Sequence, residues 1–274
     1  MVYFDNKYIE LYMEPQESIF YYQLKIEDKY FKHMCVRNGN NIYTPYGYGG
    51  YQTNIKDPKT FYQALMQYED YCRSMDVELE TIKWHPYNTV VKQCLFDTIK
   101  SDRKLVCVDL TMTKEQRWDT YAANTRNILR KDGYTVERTD DIDTFIKMYE
   151  NTMDRHKTSK FYYFKRDYYE KLMAIDGVEM YSVFHDCKLL TMGIFFLSSE
   201  TASYHLSGSN LKYRNLNGNY YLLETLFDIA QSRGKTNFLL GGGTTNERFD
   251  SLLLFKQKFS KNTRDYYKTE MRFV

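Results

Sequence analysis

The strand-like run Thr201 to Ser207 carries a histidine where proton transfer would need one. Strict alternation puts Ala202, Tyr204 and Leu206 on one face and Ser203, His205 and Ser207 on the other. Histidine titrates near neutrality and can take a proton from an incoming ammonium. A hydrogen-bonded structural histidine explains the same residue, and both readings stay open. Downstream, Lys212, Arg214 and the triplet Asn217-Gly218-Asn219 precede a helical run. A helix start favours an anion, glycine permits close approach, and the two cations add charge. An ordinary Asn-Gly turn accounts for the same residues. Gly241, Gly242 and Gly243 follow a buried strand, where glycine costs backbone entropy. Either a ligand passes close by, or the chain turns tightly into a helix. Lys256, in Phe255-Lys256-Gln257-Lys258-Phe259, sits on an amphipathic helix whose lysines are ordinarily solvated. Near the other end, Tyr46 and Tyr48 alternate with glycines in the run 43–51, and His85 opens His-Pro-Tyr-Asn. Rigid aromatics between glycines suit the wall of a sugar or peptide groove, or simply a packed hairpin turn.

These residues need elements to hold them. Ile19 to Ile26, Tyr30 to Arg37, Val77 to Trp84 and Lys104 to Leu110 have strand character. Asp57-Pro58 opens a helix with Phe61, Leu65, Tyr68 and Cys72 on one face. Thr113 to Gln116 is a capping box that predicts one long helix, stopped by Gly133 and bridging two halves of the chain. From Tyr134 onward the pattern predicts the order β-α-α-β-β-β-α-β-α-β, with antiparallel turns at 185–188 and 198–200. The fold class is therefore α+β, built on mainly antiparallel sheet.

Composition narrows the function. The chain has 274 residues, enough for two domains, and no linker or low-complexity stretch separates them. A formal net charge of +2 gives no support for a dedicated polyanion binder. The five cysteines, Cys35, Cys72, Cys94, Cys107 and Cys187, are scattered, which points to a reducing compartment without structural zinc. The opening residues lack a signal-peptide core, and the longest apolar run is too short for a bilayer. A cytoplasmic protein without a transmembrane segment is expected. Neither a nucleophile elbow nor a P-loop is present, and no metal is called for. The 28 tyrosines fit half-buried strands and polar grooves, or a compositional bias.

The order of elements resembles the GNAT acyltransferase domain. Four runs, at 44–50, 118–136, 204–234 and 239–260, resemble more narrowly the Fem family of peptidyl and aminoacyl transferases and their acyl-CoA relatives. The resemblance implies two GNAT-like domains, each a mainly antiparallel mixed sheet flanked by helices. They are expected at 1–132, on the acceptor side, and 133–274, on the acyl-donor side. It implies an acyl-CoA donor in a V between two splayed strands, with its pyrophosphate near Lys212, Arg214, Asn217, Gly218 and Asn219. Gly241 and Gly242 would pass beside that ligand. Lys256 would stand near the reacting carbonyl, with His205 as base, and Tyr46, Tyr48 and His85 would line the acceptor side. The acceptor would be an amine on a small molecule or saccharide, an amino sugar or amino acid bound for cell-envelope polysaccharide or secondary metabolism. Two alternatives remain. One is a Fem-like transferase using aminoacyl-tRNA on a peptidoglycan precursor, although the long helical arm of the cell-wall enzymes is missing. The other is a non-catalytic binding module on a degenerate transferase fold.

Overall fold

The computed structural model describes residues 1–92, 99–245, 247 and 249–273; Cys94 lies outside them. The chain forms two compact units. One comprises residues 3–104 and 264–274, the other residues 1–2 and 105–263.

The first unit holds α1 (Asn6–Glu10), β1 (Ser18–Ile26), β2 (Lys29–Asn38), β3 (Asn41–Tyr43), β4 (Gln52–Thr53), α2 (Pro58–Ser74) and β5 (Leu79–Lys83), with most of the last strand, β12 (Thr263–Arg272). β1, β2 and β3 pair antiparallel, β3 pairs β5 in parallel, and β5 pairs β12 antiparallel. The Asp57 side chain caps α2 through Thr60 N–H at 2.8 Å, with Pro58 in the first turn. The buried face of α2, including Phe61, Leu65, Tyr68 and Cys72, packs into a core with Phe31, Tyr51 and Trp84. One carboxylate is buried there. Glu80 accepts from Tyr51 at 2.7 Å and Tyr68 at 2.6 Å, and His33 Nε2 stands 2.9 Å away. A buried polar group needs such partners, so several tyrosines serve here as both core and polar lining.

The second unit contains the end of β6 (Ile99–Asp109), then α3 (Lys114–Thr120), α4 (Ala123–Leu129), β7 (Tyr134–Thr139), α5 (Ile142–His156), α6 (Arg166–Met173), β8 (Val178–His185), β9 (Lys188–Phe196), β10 (Thr201–Ser209), α7 (Gly218–Ser232), β11 (Asn237–Gly241) and α8 (Ser251–Lys256). From β7 on, this is the expected order. The strands run β6-β11-β10-β9-β8-β7, all antiparallel except the β10–β11 pair. The apolar face of α7, with Leu222, Leu223, Leu226 and Phe227, fills the core over Phe195, Phe238 and Leu240. No helix among the described residues is long and apolar enough to cross a membrane.

The single helix expected from 113 to 132 is two. The capping box at Thr113 and Gln116 forms, but the chain is extended at Tyr121. There the Ala122 N–H donates to the Lys258 carbonyl at 3.0 Å, and the Tyr121 hydroxyl donates to buried Glu224 at 2.7 Å. A tertiary partner thus takes the Ala122 amide that a continuous helix would use, and the Tyr121 ring is anchored away from it. Arg126 donates to the freed Tyr121 carbonyl and to the Trp118 carbonyl, which also accepts from the Tyr121 N–H.

Candidate active site

β10 and β11 share parallel register only from Thr201↔Asn237 to Ser203↔Leu239, while β10 runs on to Ser209 and β11 to Gly241. Beyond Ser203 the two strands part. A bulge in β10 adds to this, since Tyr204 pairs with Phe195 and Leu206 with Ile194, leaving His205 as the extra residue. The strict alternation expected for this strand therefore fails. The Tyr204 hydroxyl reaches Ser207 Oγ, which alternation had put on the opposite face. Gly208 is fixed by packing, because a Cβ there would meet the α5 backbone at 2.5 Å.

At the end of β10 lies a cavity at the start of α7. Its lining includes Arg155, Arg214, Asn217, Gly218, Asn219 and Tyr220. Asn217, in the left-handed region at φ 57°, turns the chain into α7, and no side chain caps the helix. The start of α7, with the positive end of its dipole, therefore lies at a cavity that Arg155 and Arg214 also line. Thr191 Oγ1 holds the Asn219 Oδ1 at 2.6 Å, and Asn219 Nδ2 donates to Ser209 Oγ at 3.0 Å. The helix start is thus tied to β9 and β10. Gly218 is also required by packing, since a Cβ would stand 2.7 Å from Leu190 Cβ. The cavity collects Arg214, Asn217, Gly218 and Asn219 as expected from sequence. Lys212 instead places its ammonium over its neighbour Tyr213, 5.4 Å from the ring centroid. Arg155, from the last turn of α5, has no sequence signal beyond its C-terminal helix position.

Gly241 has φ 81°, a conformation that favours glycine. A Cβ on Gly243 would fall 2.4 Å from Asp250 Oδ1. Asp250 caps α8 through Leu253 N–H at 2.9 Å and accepts from Thr244 and Thr245. Burial pushes its carboxyl up, yet these hydrogen bonds win and hold it well below the usual range. The loop so fixed presents the Gly242 carbonyl to Lys256 Nζ at 2.6 Å. Lys256 is only 6 % exposed, and its ammonium lies 5.8 Å from the Tyr204 ring centroid. It is thus no solvated surface lysine. Lys258 follows the end of α8 and donates to the Tyr220 hydroxyl at 2.9 Å.

His205 stacks on Phe196 with centroids 4.4 Å apart, and its Nε2 meets the Tyr168 hydroxyl at 3.0 Å. Burial pushes its pKa down to about 3, so the imidazole stays neutral near pH 7.

In the first unit, Tyr46, Tyr48 and His85 belong to one aromatic cluster. Tyr48 packs edge-on to Tyr3, His85 and Tyr266, with centroids 5.2, 5.6 and 5.4 Å apart. Tyr46 packs on Tyr12, and its carbonyl accepts from Tyr8 at 3.0 Å. The glycines are demanded locally. Gly47 has φ 93° and would drive a Cβ to 2.8 Å from the Tyr3 ring. His85 is 1 % exposed, its Nε2 has no hydrogen-bond partner among the described residues, and burial pushes its pKa to about 3, with Arg264 adding repulsion.

The family model described as an acetyltransferase (GNAT) domain matches residues 114–250, half of the chain. No curated protein sequence matches. Among solved structures, FemX is similar with a TM-score of 0.76 and 12% identity, over 96% of this chain and 90% of that one. The C-terminal domain of a putative lysylphosphatidylglycerol synthetase from Agrobacterium fabrum gives 0.60 and 17%, over 91% and 84%. A tandem GNAT protein from the clavulanic acid biosynthesis pathway gives 0.51 and 10%, over 96% and 85%.

Proposed function

Because the chain belongs to the acetyltransferase (GNAT) family, we propose that it moves an acyl group from an acyl-CoA onto an amine. The observation that carries this is the cavity at the uncapped start of α7, with Arg155 and Arg214 beside it. Helix amides and guanidinium groups together suit a pyrophosphate. The pantetheine arm would then run into the gap where β10 leaves β11, toward Lys256. In the reaction the amine nitrogen bonds to the thioester carbonyl carbon and the carbonyl oxygen gains charge. The C–S bond then breaks, the thiolate leaves, and the nitrogen gives up a proton. Lys256, buried beside the Gly242 carbonyl, supplies positive charge for that oxygen. His205 is proposed as a neutral acceptor on the bulge rather than a group that titrates near pH 7. Tyr46, Tyr48 and His85 are proposed to bind the acceptor, an amine on a small molecule, a saccharide or a cell-envelope precursor.

A second reading is favoured by the likeness to FemX along nearly the whole chain: aminoacyl transfer from a transfer RNA onto a peptidoglycan precursor. Thermal-shift titration separates the two. Coenzyme A and acyl-CoA should raise the melting temperature at micromolar to millimolar concentration, and transfer RNA should not. Stabilisation by aminoacyl-tRNA alone would replace the first reading by the second. Stabilisation by neither would leave a binding module without this chemistry.

A further inference from the structure

Tyr220 is the third residue of α7 and lines the cavity together with Arg155, Arg214, Gly218 and Asn219. It is 7 % exposed, with its ring packed edge-on to Phe255 at 5.2 Å and tilted on Phe259 at 5.5 Å. Its hydroxyl receives a hydrogen bond from Lys258 Nζ at 2.9 Å, and the same ammonium stands 5.7 Å from the ring centroid. An ammonium has only donors, so the phenol oxygen must be the acceptor. The phenol's own hydrogen is left over, and no described residue accepts it. A buried donor without an acceptor carries a desolvation cost that a ligand oxygen would relieve. The ammonium behind it polarises the O–H and strengthens any bond it makes forward. What the hydroxyl calls for is therefore an acceptor, at a cavity that Arg155 and Arg214 supply with positive charge.

We propose that Tyr220, polarised by Lys258, donates a hydrogen bond to a phosphate oxygen of the acyl carrier. The proposal rests on the acyl-CoA reading and assigns it a ligand contact. It also makes Lys256 and Lys258 different in kind. Lys256 acts on turnover, whereas Lys258 acts on carrier affinity through a phenol.

Calorimetric titration of coenzyme A, and of pantetheine, which has no phosphate, tests it. Tyr220→Phe keeps the ring and its packing and removes only the hydroxyl. Affinity for coenzyme A should fall about tenfold, the scale of one hydrogen bond to a charged group, with the melting temperature and pantetheine binding unchanged. Lys258→Met should weaken coenzyme A to a similar degree, and Lys258→Arg should restore most of it. The two losses should not add in the double variant, because both act through one contact. Wild-type affinity for coenzyme A in a folded Tyr220→Phe protein would overturn the proposal. So would equal losses for coenzyme A and pantetheine, or full additivity in the double variant. If the wild-type protein binds no coenzyme A at all, the acyl-CoA reading itself falls and takes this contact with it.

Discussion

Lys256 combines features that a surface lysine lacks. It is buried, its ammonium donates to a carbonyl on a glycine loop, and an aromatic face lies within 6 Å. A fixed cation in such a site stabilises a developing oxyanion more than a neutral carbonyl. Lys256→Met should lower turnover by on the order of a hundredfold, the scale of losing one oxyanion donor, with donor affinity little changed. Lys258 cannot serve as the control, because it contacts Tyr220, which lines the cavity at the start of α7. Exposed Lys261 is the suitable one, and Lys261→Met should leave turnover as it is. Equal effects from the two substitutions, measured in steady-state kinetics, would remove Lys256 from the chemistry. The sequence supplied the lysine and the resemblance supplied its role, but neither gave its burial. Burial comes from the Asp250 cap and the Gly243 contact, which join residues seven apart through a loop geometry that composition does not encode. Arg155 and Tyr220 were illegible for a similar reason. One is a last-turn cation and the other an apolar-face aromatic until the fold brings them to the same cavity.

At the scale of elements, the cavity at the start of α7 depends on how closely that helix lies on β9. Gly218 carries that contact, with a virtual Cβ 2.7 Å from Leu190 Cβ. Glycine here was expected to admit a phosphate to the backbone, yet the close packing alone requires it. The two causes separate by experiment. Gly218→Ala should destabilise the protein by about 1–3 kcal/mol through overpacking and weaken coenzyme A as the helix start shifts. In a Leu190→Gly background, which removes the Cβ that the added methyl would meet, the same change should cost clearly less, because the two substitutions share one contact. Coenzyme A affinity should recover with it. Urea denaturation gives the first quantity and calorimetry the second. Recovery of stability without recovery of binding would mean that the added methyl blocks the ligand directly. The order of strands and helices from Tyr134 on was legible because caps, turn residues and periodicity agree there. The break at Tyr121 and the bulge at His205 were not. Each depends on a partner distant in sequence: Lys258 and Glu224 for the first, and the register of β9 for the second.

At the scale of the whole molecule, each unit holds a histidine that its surroundings keep neutral, His85 buried and His205 half-buried. His85 lies in the unit of residues 3–104 and His205 in that of residues 105–263, and burial pushes both to about 3. Unfolded histidine titrates near 6.5. Between these values the unfolded chain binds more protons than the folded one, so folding stability rises with pH. The stability is fully present above about 6.5 and is lost as pH falls toward about 3. Each histidine can contribute a slope of up to ~1.4 kcal/mol per pH unit in that window, less for His205, whose ring is partly open to solvent. Asp250 acts with the same sign but lower down. Its carboxyl is held below the usual range, so its stabilisation is lost only from about pH 4 downward. In the interval from pH 6.5 to 5, above the range of Asp250, the two histidines act together with His156, also pushed down by burial, and against Glu224, whose carboxyl burial pushes up. His85→Phe keeps an aromatic ring among Tyr3, Tyr48 and Tyr87, and His205→Gln keeps an acceptor for Tyr168. In denaturant unfolding across that interval, the double variant should lose the part of the pH slope that these two histidines supply, and each single variant should lose its share. A slope equal to that of the wild type in the double variant would mean that both histidines are protonated in the native state without penalty, contrary to their burial.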